Sequence, residues 1–347
     1  MRNVPAYGTS SANSSLGPLT IARRDVGLRD VAIDVAYTGV CHTDVLNTRD
    51  AYGPGIYPMV PGHEFTGLVS AVGSEVTKFA VGDRVGVGNF VDSCRECEHC
   101  LAGLEVYCQN LVVTYNGRDK TGEPTYGGYS SYTVVDENYV LRIPDALDLD
   151  VAAPLLCAAI AVYSPLRHWE VGPGTKLAIV GMGGLGHLAI KIAHALGAEV
   201  TVLSQGLSKR DDGLAFGADD YRATSDPTTF TDLASHFDVM LSTVSAPLNF
   251  DALLGLIKRD GTLINLGAPD APVSISMFSL ILGRKSFASS ATGGIAETQE
   301  MLDFCAEHGI KAEIETIDAA DLNSGYERLD RGDVRYRFVV DVATISK

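Results

Sequence analysis

The sequence lacks both an excess of positive charge and a long apolar run. Its 27 Lys and Arg residues stand against 43 Asp and Glu residues, for a formal net charge of −16. A nucleic-acid-binding surface needs a basic face, so we expect no nucleic-acid partner. The longest uncharged apolar run, 151–166, is too short to span a bilayer and contains Pro154 and Pro165. We predict a buried helix there, and no membrane partner.

We expect no export signal at the start of the sequence. Residues 1–19 are rich in Ser, Gly and Pro and have no apolar core. We therefore expect a cytoplasmic, reducing location, where the seven cysteines indicate metal or catalytic thiols before disulfides. With 347 residues, of which 46% are apolar and 20% charged, the chain has room for two globular domains.

The loop 94–108 contains four cysteines with the spacing C-x2-C-x2-C-x7-C. Its members are Cys94, Cys97, Cys100 and Cys108. Four thiolates can surround one zinc ion tetrahedrally and leave it no open position, so such a zinc stabilises structure and does no chemistry. Any catalytic metal has to be held elsewhere.

The pattern of apolar residues predicts an α/β protein with two domains. Short β-like runs at 31–36, 66–72, 83–87 and 132–135 predict a mostly β domain over residues 1–150. Strand and helix patterns then alternate, which indicates a doubly wound parallel sheet over 151–289. The predicted strands are 176–180, 199–204, 238–244 and 261–266, and the predicted helices are 185–196 and 250–258. A helix at 297–307 and a strand at 337–342 follow, and we expect residues 290–347 to return to the first domain.

A glycine-rich turn joins the first predicted strand of the parallel sheet to its helix. Its residues are Gly181, Met182, Gly183, Gly184, Leu185 and Gly186. Gly181 allows a tight turn, Gly183 lets the backbone approach a pyrophosphate, and Gly186 lets helix and strand pack closely. The phosphates then lie on the amides at the helix N-terminus. The motif is weak alone, but both flanking elements are present, so we predict a dinucleotide site.

The residue that ends the second strand indicates which dinucleotide binds. NAD sites usually carry Asp or Glu there, whereas this chain has Ser204, followed by Gly206, Ser208, Lys209 and Arg210. Hydroxyls and cations can bind a 2′-phosphate, so we predict NADP(H). The alternative is that Lys209 and Arg210 form a solvated helix start.

Cys41, His63 and Cys157 are the remaining candidates for a second metal site. Two cysteines and one histidine form a known catalytic zinc set that leaves the fourth position for water or substrate. Taken singly, Cys157 could be a core residue and His63 an ordinary hydrogen-bonded histidine. Their spacing does not join them, because they are far apart in sequence.

Several motifs together resemble the zinc-dependent medium-chain alcohol dehydrogenases. They are C-H-T-D (41–44), Y-P-M-V-P-G-H-E (57–64), V-G-D-R-V (81–85), the four-cysteine loop, Y-G-G-Y-S (126–130), A-A-P-L-L-C-A (152–158), G-M-G-G-L-G-H (181–187) and D-V-R-Y-R-F-V-V-D (333–341). The resemblance covers nearly the whole chain and is to the cinnamyl-alcohol-dehydrogenase-like branch, including its bacterial NADP-dependent members. It implies a GroES-like domain plus a Rossmann domain.

The resemblance also implies roles for individual residues. It implies catalytic zinc on Cys41, His63 and Cys157, structural zinc on the four-cysteine loop, and a homodimer. It implies that Glu64 lies beside the catalytic metal, that Asp44 fixes the His63 tautomer and that Thr43 passes on the substrate proton. It assigns cofactor contacts to His42, Thr243, Val244, Gly267 and Arg335, and the substrate pocket to Asn47, Ser93, Val113 and Ala291.

Two positions depart from the family pattern. Relatives usually have a histidine five positions after the first zinc cysteine, where this chain has Leu46. We expect the proton relay to end instead in the ribose hydroxyl and water, beside Asn47 or Thr48. Plant relatives place large aromatic residues at the positions of Val113 and Ala291, so we expect a wider pocket that takes aromatic, terpenoid or medium aliphatic aldehydes.

Three other functions would each account for part of the sequence. A zinc-ribbon interaction module fits the four cysteines but not the charge or the glycine motif. A silent cofactor-binding protein would lack one of Cys41, His63 and Cys157, yet all are present. A redox-sensing or structural zinc protein stays open as the alternative to reversible oxidation of alcohols and reduction of aldehydes. Cys305 fits none of these roles and is most simply a core residue.

Overall fold

The computed structural model describes residues 1–269 and 271–345. They form two compact units, one of Met1–Ile160 with 293–345 and one of Ala161–Thr292. The two sheets expected from the sequence are both present, so the predicted combination of a mostly β domain with a parallel-sheet domain is confirmed.

The N-terminal part of the first unit is built from short strands. They are β1 (Arg2–Gly8), β2 (Gly17–Arg23), β3 (Asp30–Val40), β4 (Phe65–Val72), β5 (Arg84–Val87), β6 (Phe90–Asp92), β7 (Val112–Val113), β8 (Tyr132–Asp136) and β9 (Leu141–Arg142). Three short helices accompany them: α1 (His42–Asn47), α2 (Glu98–Leu101) and α3 (Leu149–Ala152). Apolar residues of β3, β4 and β8 form a continuous buried core, which fixes the loops that carry the site.

The second unit alternates helix and strand around a six-stranded parallel sheet. Its elements are α4 (Ala158–His168), β10 (Lys176–Val180), α5 (Gly186–Ala195), β11 (Glu199–Ser204), α6 (Arg210–Ala215), β12 (Asp220–Ala223), α7 (Thr228–Asp232), β13 (Phe237–Ser242), α8 (Phe250–Gly255), β14 (Ile257–Asn265), α9 (Met277–Ile281) and β15 (Ser286–Ala288). The strand order is β12-β11-β10-β13-β14-β15. Leu177 to Val180 of β10 are all buried, as expected for a parallel strand covered on both faces.

The last segment of the chain returns to the first sheet. It consists of α10 (Ile295–Glu307), β16 (Ile314–Asp318), α11 (Leu322–Asp330) and β17 (Arg337–Asp341). Strand β17 pairs antiparallel with β3 and parallel with β16. The resulting seven-stranded sheet has the order β16-β17-β3-β4-β5-β9, with β8 also paired to β3.

Two predicted helices differ from the structure. The helix expected at 250–258 ends at Gly255, because β14 already begins at Ile257. The buried helix expected at 151–166 is interrupted: Ala153–Leu156 form a 3₁₀ turn that contains Pro154, and α4 starts only after Cys157. Proline lacks the amide hydrogen that a continuing α-helix needs, so the chain bends by 53° at this point. Among the described residues no single helix is long and apolar enough to cross a membrane; this bent pair alone matches in length and composition.

Candidate active site

Helix α1 positions the first candidate metal ligand. Cys41 is the N-cap residue of α1, and its backbone N–H donates to Asp44 Oδ2 at 3.0 Å. Asp44 is completely buried, so this bond is protected from water. The four residues C-H-T-D therefore form one rigid turn that holds the Cys41 thiol and the Thr43 side chain in fixed positions.

The same carboxylate orients His63. His63 Nδ1 donates to Asp44 Oδ1 at 2.9 Å, and the Gly62 amide donates to the same oxygen at 3.2 Å. Gly62 has a φ of +98°, and a Cβ there would come within 2.7 Å of the Tyr129 ring, so glycine is required before His63. With Nδ1 engaged by a carboxylate, Nε2 is left as the ligand atom, which is the usual arrangement of a metal-binding imidazole.

Cys41, His63 and Cys157 come together although they are far apart in sequence. All three are buried, and their Sγ, Nε2 and Sγ atoms lie within 4.8 Å of one another. His63 Nε2 is 3.2 Å from Cys157 Sγ. Tetrahedral zinc with ordinary bond lengths places a nitrogen and a sulfur ligand about 3.5 Å apart. The three side chains thus fit a zinc ion and leave it one open position.

Cys157 owes its position to the interrupted helix. It lies between the 3₁₀ turn and α4 with φ −126° and ψ −61°, outside the helical region. In a continuous helix Cys157 would be one more side chain on the helix surface. The break instead places its thiol next to His63.

Glu64 and Arg337 form a buried ion pair beside these ligands. Arg337 Nη2 donates to Glu64 Oε1, while Glu64 Oε2 and Arg337 Nε have no hydrogen-bond partner among the described residues. Burial raises the pKa of Glu64 to about 8, and the Arg337 guanidinium opposes that shift. Gly39 makes room for the carboxylate, because a Cβ there would lie 2.5 Å from Glu64 Oε1. An orphaned carboxylate oxygen next to the ligand set is what a metal or its water would satisfy.

The electrostatic setting favours a thiolate at Cys41. A hydrogen bond from the Cys157 thiol holds the pKa of Cys41 well below its usual value, and His63 and Arg337 act in the same direction. Burial by itself lowers the pKa of His63, but the Asp44 carboxylate overrides it and raises that pKa. A thiolate is the form in which cysteine binds metal.

Tyr115 is a site residue that the sequence pattern did not reveal. Its ring stacks on the His63 imidazole with centroids 5.9 Å apart. Asn47 Nδ2 donates to the Tyr115 hydroxyl and to the Thr43 carbonyl, both at 3.0 Å. Asn47 therefore joins the end of α1 to the ring that covers His63, whereas Thr48 is committed to the Val45 carbonyl at 2.8 Å.

The four residues expected to line the substrate pocket are not brought together within either unit. Val113 lies on β7 opposite Phe90 and is 38% exposed, and Ala291 is an exposed residue of the second unit. Ser93 contacts the four-cysteine loop, and its expected place in the substrate pocket stays a prediction. It is fully buried, and its hydroxyl lies 2.7 Å from the Tyr139 hydroxyl and 3.2 Å from Cys100 Sγ, so it supports the four-cysteine loop.

His42 and Arg335 both belong to the first unit. His42 Nε2 is 3.5 Å from Asp330 Oδ1, a carboxylate that also pairs with Arg49 at 2.7 Å. The Arg335 amide donates to Glu315 Oε1 at 2.9 Å. The His42 ring and the Arg335 backbone thus lie beside acidic groups, and the expected role of both residues toward a pyrophosphate stays a prediction.

The four-cysteine loop forms a second, closed cluster. The four Sγ atoms lie within 4.8 Å of one another, with Cys94 and Cys100 3.8 Å apart and Cys97 and Cys100 3.5 Å apart. Tetrahedral zinc places two thiolates about 3.8 Å apart. Backbone amides also donate to the sulfurs, as from Cys97 to Cys94 Sγ at 3.3 Å. The donor set therefore fits a structural zinc.

The glycine turn lies between β10 and α5, as predicted. Gly181 has a φ of +90°, and a Cβ on Gly186 would lie 2.1 Å from the Gly181 carbonyl oxygen. In contrast, a Cβ on Gly183 would meet nothing within 4 Å. The space over Gly183 at the start of α5 is a cradle that the phosphates of a dinucleotide can enter.

The other candidate cofactor residues converge on the same edge of the sheet. Lys209 Nζ donates to the carbonyl of Met182 at 2.9 Å, which ties the end of β11 to the glycine turn. The Thr243 amide donates to the Val180 carbonyl at 3.0 Å. A Cβ on Gly267 would lie 1.9 Å from the Val244 carbonyl oxygen, so the segments after β13 and β14 are in close contact.

Comparison with known proteins matches both units. Residues 27–145 match the family model of the alcohol dehydrogenase GroES-like domain, and residues 184–307 that of zinc-binding dehydrogenase. NADP-dependent alcohol dehydrogenase C 1 of Mycolicibacterium smegmatis is 57% identical, and aldehyde reductase YahK of Escherichia coli 50% identical, each over 99% of both chains. The structure of CAD from Helicobacter pylori complexed with NADP(H) is 39% identical, with a TM-score of 0.93 over 98% of both chains. The similarity therefore extends over the whole chain and does not depend on one motif.

Proposed function

The chain belongs to the alcohol dehydrogenase family that joins a GroES-like domain to a zinc-binding dehydrogenase domain, and on this premise we propose that it interconverts primary alcohols and aldehydes with zinc and NADP(H). The buried set of Cys41, His63 and Cys157, with its imidazole fixed by Asp44, carries the proposal. This set holds the catalytic zinc, and the four-cysteine loop holds a second, structural zinc.

Each residue around the site has a separate role in the proposed reaction. When bound, zinc supplies a Lewis acid for the substrate oxygen, and the dinucleotide supplies or accepts the hydride. Thr43 suits the proton relay, because a hydroxyl can donate and accept at once. Asp44 keeps the proton of His63 on Nδ1. Arg337 offsets the negative charge of the Cys41 thiolate in a buried site and donates a hydrogen bond to Glu64.

The proton relay ends without a histidine, because Leu46 occupies that position. We propose that the Thr43 hydroxyl passes the proton on without a histidine of this chain, and that a bound cofactor would supply a ribose hydroxyl as the link to water. The Thr48 hydroxyl already donates to a backbone carbonyl, which argues against its participation. A Leu46→His variant should accelerate alcohol oxidation below neutral pH. An unchanged pH–rate profile would mean that the relay limits the reaction less than we propose.

The preference for NADP(H) rests on the end of β11. Ser204 leaves no carboxylate to repel a 2′-phosphate, and Lys209 is held at the glycine turn by its bond to Met182. A Lys209→Gln variant should raise KM for NADPH by about 10-fold or more, since charge-assisted hydrogen bonds contribute about 1.5–3 kcal/mol. KM for NADH serves as the internal control and should change little.

The substrate range is proposed to be broad, because Val113 and Ala291 are small. Initial rates with coniferyl aldehyde, benzaldehyde and hexanal should be of similar size. A sharp preference for coniferyl aldehyde would contradict a wide pocket. A Val113→Trp variant should narrow the range toward small aldehydes, since it fills space on β7.

One experiment tests the proposal as a whole. The purified chain should contain two zinc ions and oxidise NADPH when an aldehyde is present. A Cys157→Ser variant should contain less zinc and lose turnover, and a Cys97→Ala variant should lose the other zinc and its thermal stability first. Cys305→Ser is the matched control, because Cys305 packs against Met301 in α10. A zinc protein that binds NADPH but reduces no aldehyde would have a structural or redox-sensing role instead.

We also propose that the chain is cytoplasmic and forms a homodimer.

A further inference from the structure

Two asparagines form a continuous chain of hydrogen bonds beside the candidate metal site. The Ile56 amide donates to Asn116 Oδ1 at 2.8 Å, and Asn116 Nδ2 donates to Asn47 Oδ1 at 2.9 Å. Asn47 Nδ2 in turn donates to the Thr43 carbonyl and to the Tyr115 hydroxyl, both at 3.0 Å. The chain of bonds thus runs from Ile56 to the turn that carries Thr43, and all of it lies within the first unit.

These hydrogen bonds fix the direction in which each side-chain amide points. Because the Ile56 amide donates to Asn116, the Asn116 oxygen faces Ile56 and its nitrogen faces Asn47. The Asn47 oxygen accepts that bond, so its nitrogen is left for the carbonyl of Thr43 and the hydroxyl of Tyr115. Rotating either amide by half a turn would set donor against donor or acceptor against acceptor. The orientation of Asn47 therefore depends on Asn116.

The segment 50–57 is a loop that is closed by its own side chains. Asp50 Oδ1 accepts a hydrogen bond from the Gly55 amide at 2.9 Å and one from the Tyr57 hydroxyl at 2.6 Å. The tip of the loop is exposed. The bond to Asn116 joins this closed loop to the side chains of the candidate active site.

We propose that Asn116 is a positioning residue for aldehyde binding. Acting through Asn47, it holds the loop 50–57 beside the turn that carries Thr43. This inference rests on the proposed function, because it requires an aldehyde substrate at that turn. The hydrogen bonds of Asp44 fix the candidate metal ligands separately. Loss of the Asn116 bonds should therefore weaken aldehyde binding and raise KM, while kcat changes little.

Two variants of Asn116 separate its two hydrogen bonds. Asn116 has a φ of +57°, a left-handed conformation that glycine and aspartate also adopt, so neither replacement strains the backbone. Asn116→Gly removes both bonds, whereas Asn116→Asp keeps an acceptor for the Ile56 amide and loses the donor to Asn47. Both variants should raise KM for benzaldehyde about 3- to 10-fold, as expected for one lost hydrogen bond, and change kcat by less than about twofold.

Hydrogen exchange examines the loop without any substrate. Deuterium uptake of residues 50–57, followed by mass spectrometry of the zinc-loaded chain, should rise in Asn116→Gly and stay at the parent level in Asn116→Asp. Asn13→Gly is the matched control, since Asn13 is an exposed asparagine with a φ of +60°. It should leave both the uptake and the KM for benzaldehyde unchanged.

A double variant tests whether Asn116 acts through Asn47. Asn47→Ala alone should raise KM for benzaldehyde. Adding Asn116→Gly to it should raise KM little further, because the bond between the two side chains is already lost. Effects that multiply would show that Asn116 acts independently of Asn47 and would overturn the inference.

The remaining outcomes separate this inference from the function on which it rests. Parent-like KM in both Asn116 variants, or a fall in kcat without a change in KM, overturns it. Asn116→Asp keeps the test valid if Asn116→Gly fails to fold. A parent chain that reduces no aldehyde refutes the proposed function, and with it the role in aldehyde binding, whereas the uptake of residues 50–57 still shows whether Asn116 holds the loop.

Discussion

Asp44 is the residue on which the geometry of the candidate metal site depends most. Three separate donors, the Cys41 amide, the Gly62 amide and His63 Nδ1, converge on its buried carboxylate. An Asp44→Asn variant keeps the size but presents an amide that cannot accept from all three. We expect zinc affinity at this site to fall about 10- to 100-fold.

Competition against a coloured chelator measures that change. Cys305→Ala should release zinc as the parent does, because Cys305 lies in α10 and contacts Met301. Parent-like zinc retention by Asp44→Asn would show that His63 is oriented by its other neighbours.

Single residues also show where sequence reasoning ends. Cys41, His63 and Asp44 lie in recognisable motifs, and their contacts agree with the roles those motifs imply. Tyr115 belongs to none of the motifs, and Arg337 stands in D-V-R-Y-R-F-V-V-D (333–341) without an expected role. The antiparallel pairing of β17 with β3 places Arg337 near Glu64 across 273 sequence positions. The available signals were that motif and a charged residue, Arg337, before three apolar residues of β17.

At the scale of elements, the contact between β10 and α5 leaves no room for a side chain at Gly186. A Cβ at Gly186 would lie 2.1 Å from the Gly181 carbonyl oxygen, so Gly186→Ala has to push the start of α5 away from the strand. We expect about 10- to 100-fold weaker NADPH binding, from the usual cost of overpacking. Gly255→Ala in α8 is the control, since nothing lies within 4 Å of its Cβ position. Equal NADPH affinity in both variants would contradict a rigid phosphate cradle.

Several elements were predictable to within one residue, and one of the exceptions is informative. Alternating or continuous apolar runs identified β10, β11 and β17 to within one residue. The run 151–166 has helical composition throughout, yet Cys157 adopts a non-helical backbone because the 3₁₀ turn with Pro154 precedes it. Composition alone does not show that the thiol of this apolar segment faces His63.

For the molecule as a whole, acid should weaken the fold through its paired carboxylates. Burial by itself raises the pKa of Asp238, but hydrogen bonds from Lys258 and from the Lys176 amide hold that pKa below its usual value. A lowered pKa means that the stabilisation is present above the unfolded-state value of about 3.9 and is lost as pH falls through the folded-state value. Below about pH 4, the free energy of unfolding of Asp238→Asn should therefore fall less steeply with decreasing pH than that of the parent chain.

Urea unfolding between pH 3 and 7, followed by circular dichroism, gives this slope. Asp145→Asn provides the control, because the Asp145 side chain is fully exposed. A slope that is the same for all three chains would show that the Asp238 contacts contribute no net stability.

The assembly of the molecule should depend on the exposed edge of the parallel sheet. Among the described residues, strand β15 pairs with β14 alone. Helix α9 and its C-cap just before β15 expose Met277, Phe278, Ile281 and Leu282 by 61–84%. An unpaired strand edge beside an apolar patch is typical of a surface that is covered in the assembly. A second copy of the chain would cover it in the proposed homodimer.

Phe278→Glu combined with Leu282→Lys should convert a species of twice 36.8 kDa into one of 36.8 kDa, as measured by light scattering. Leu28→Lys alters an exposed leucine of the first unit and should leave the mass unchanged. A parent chain that is already monomeric at micromolar concentration would refute the dimer.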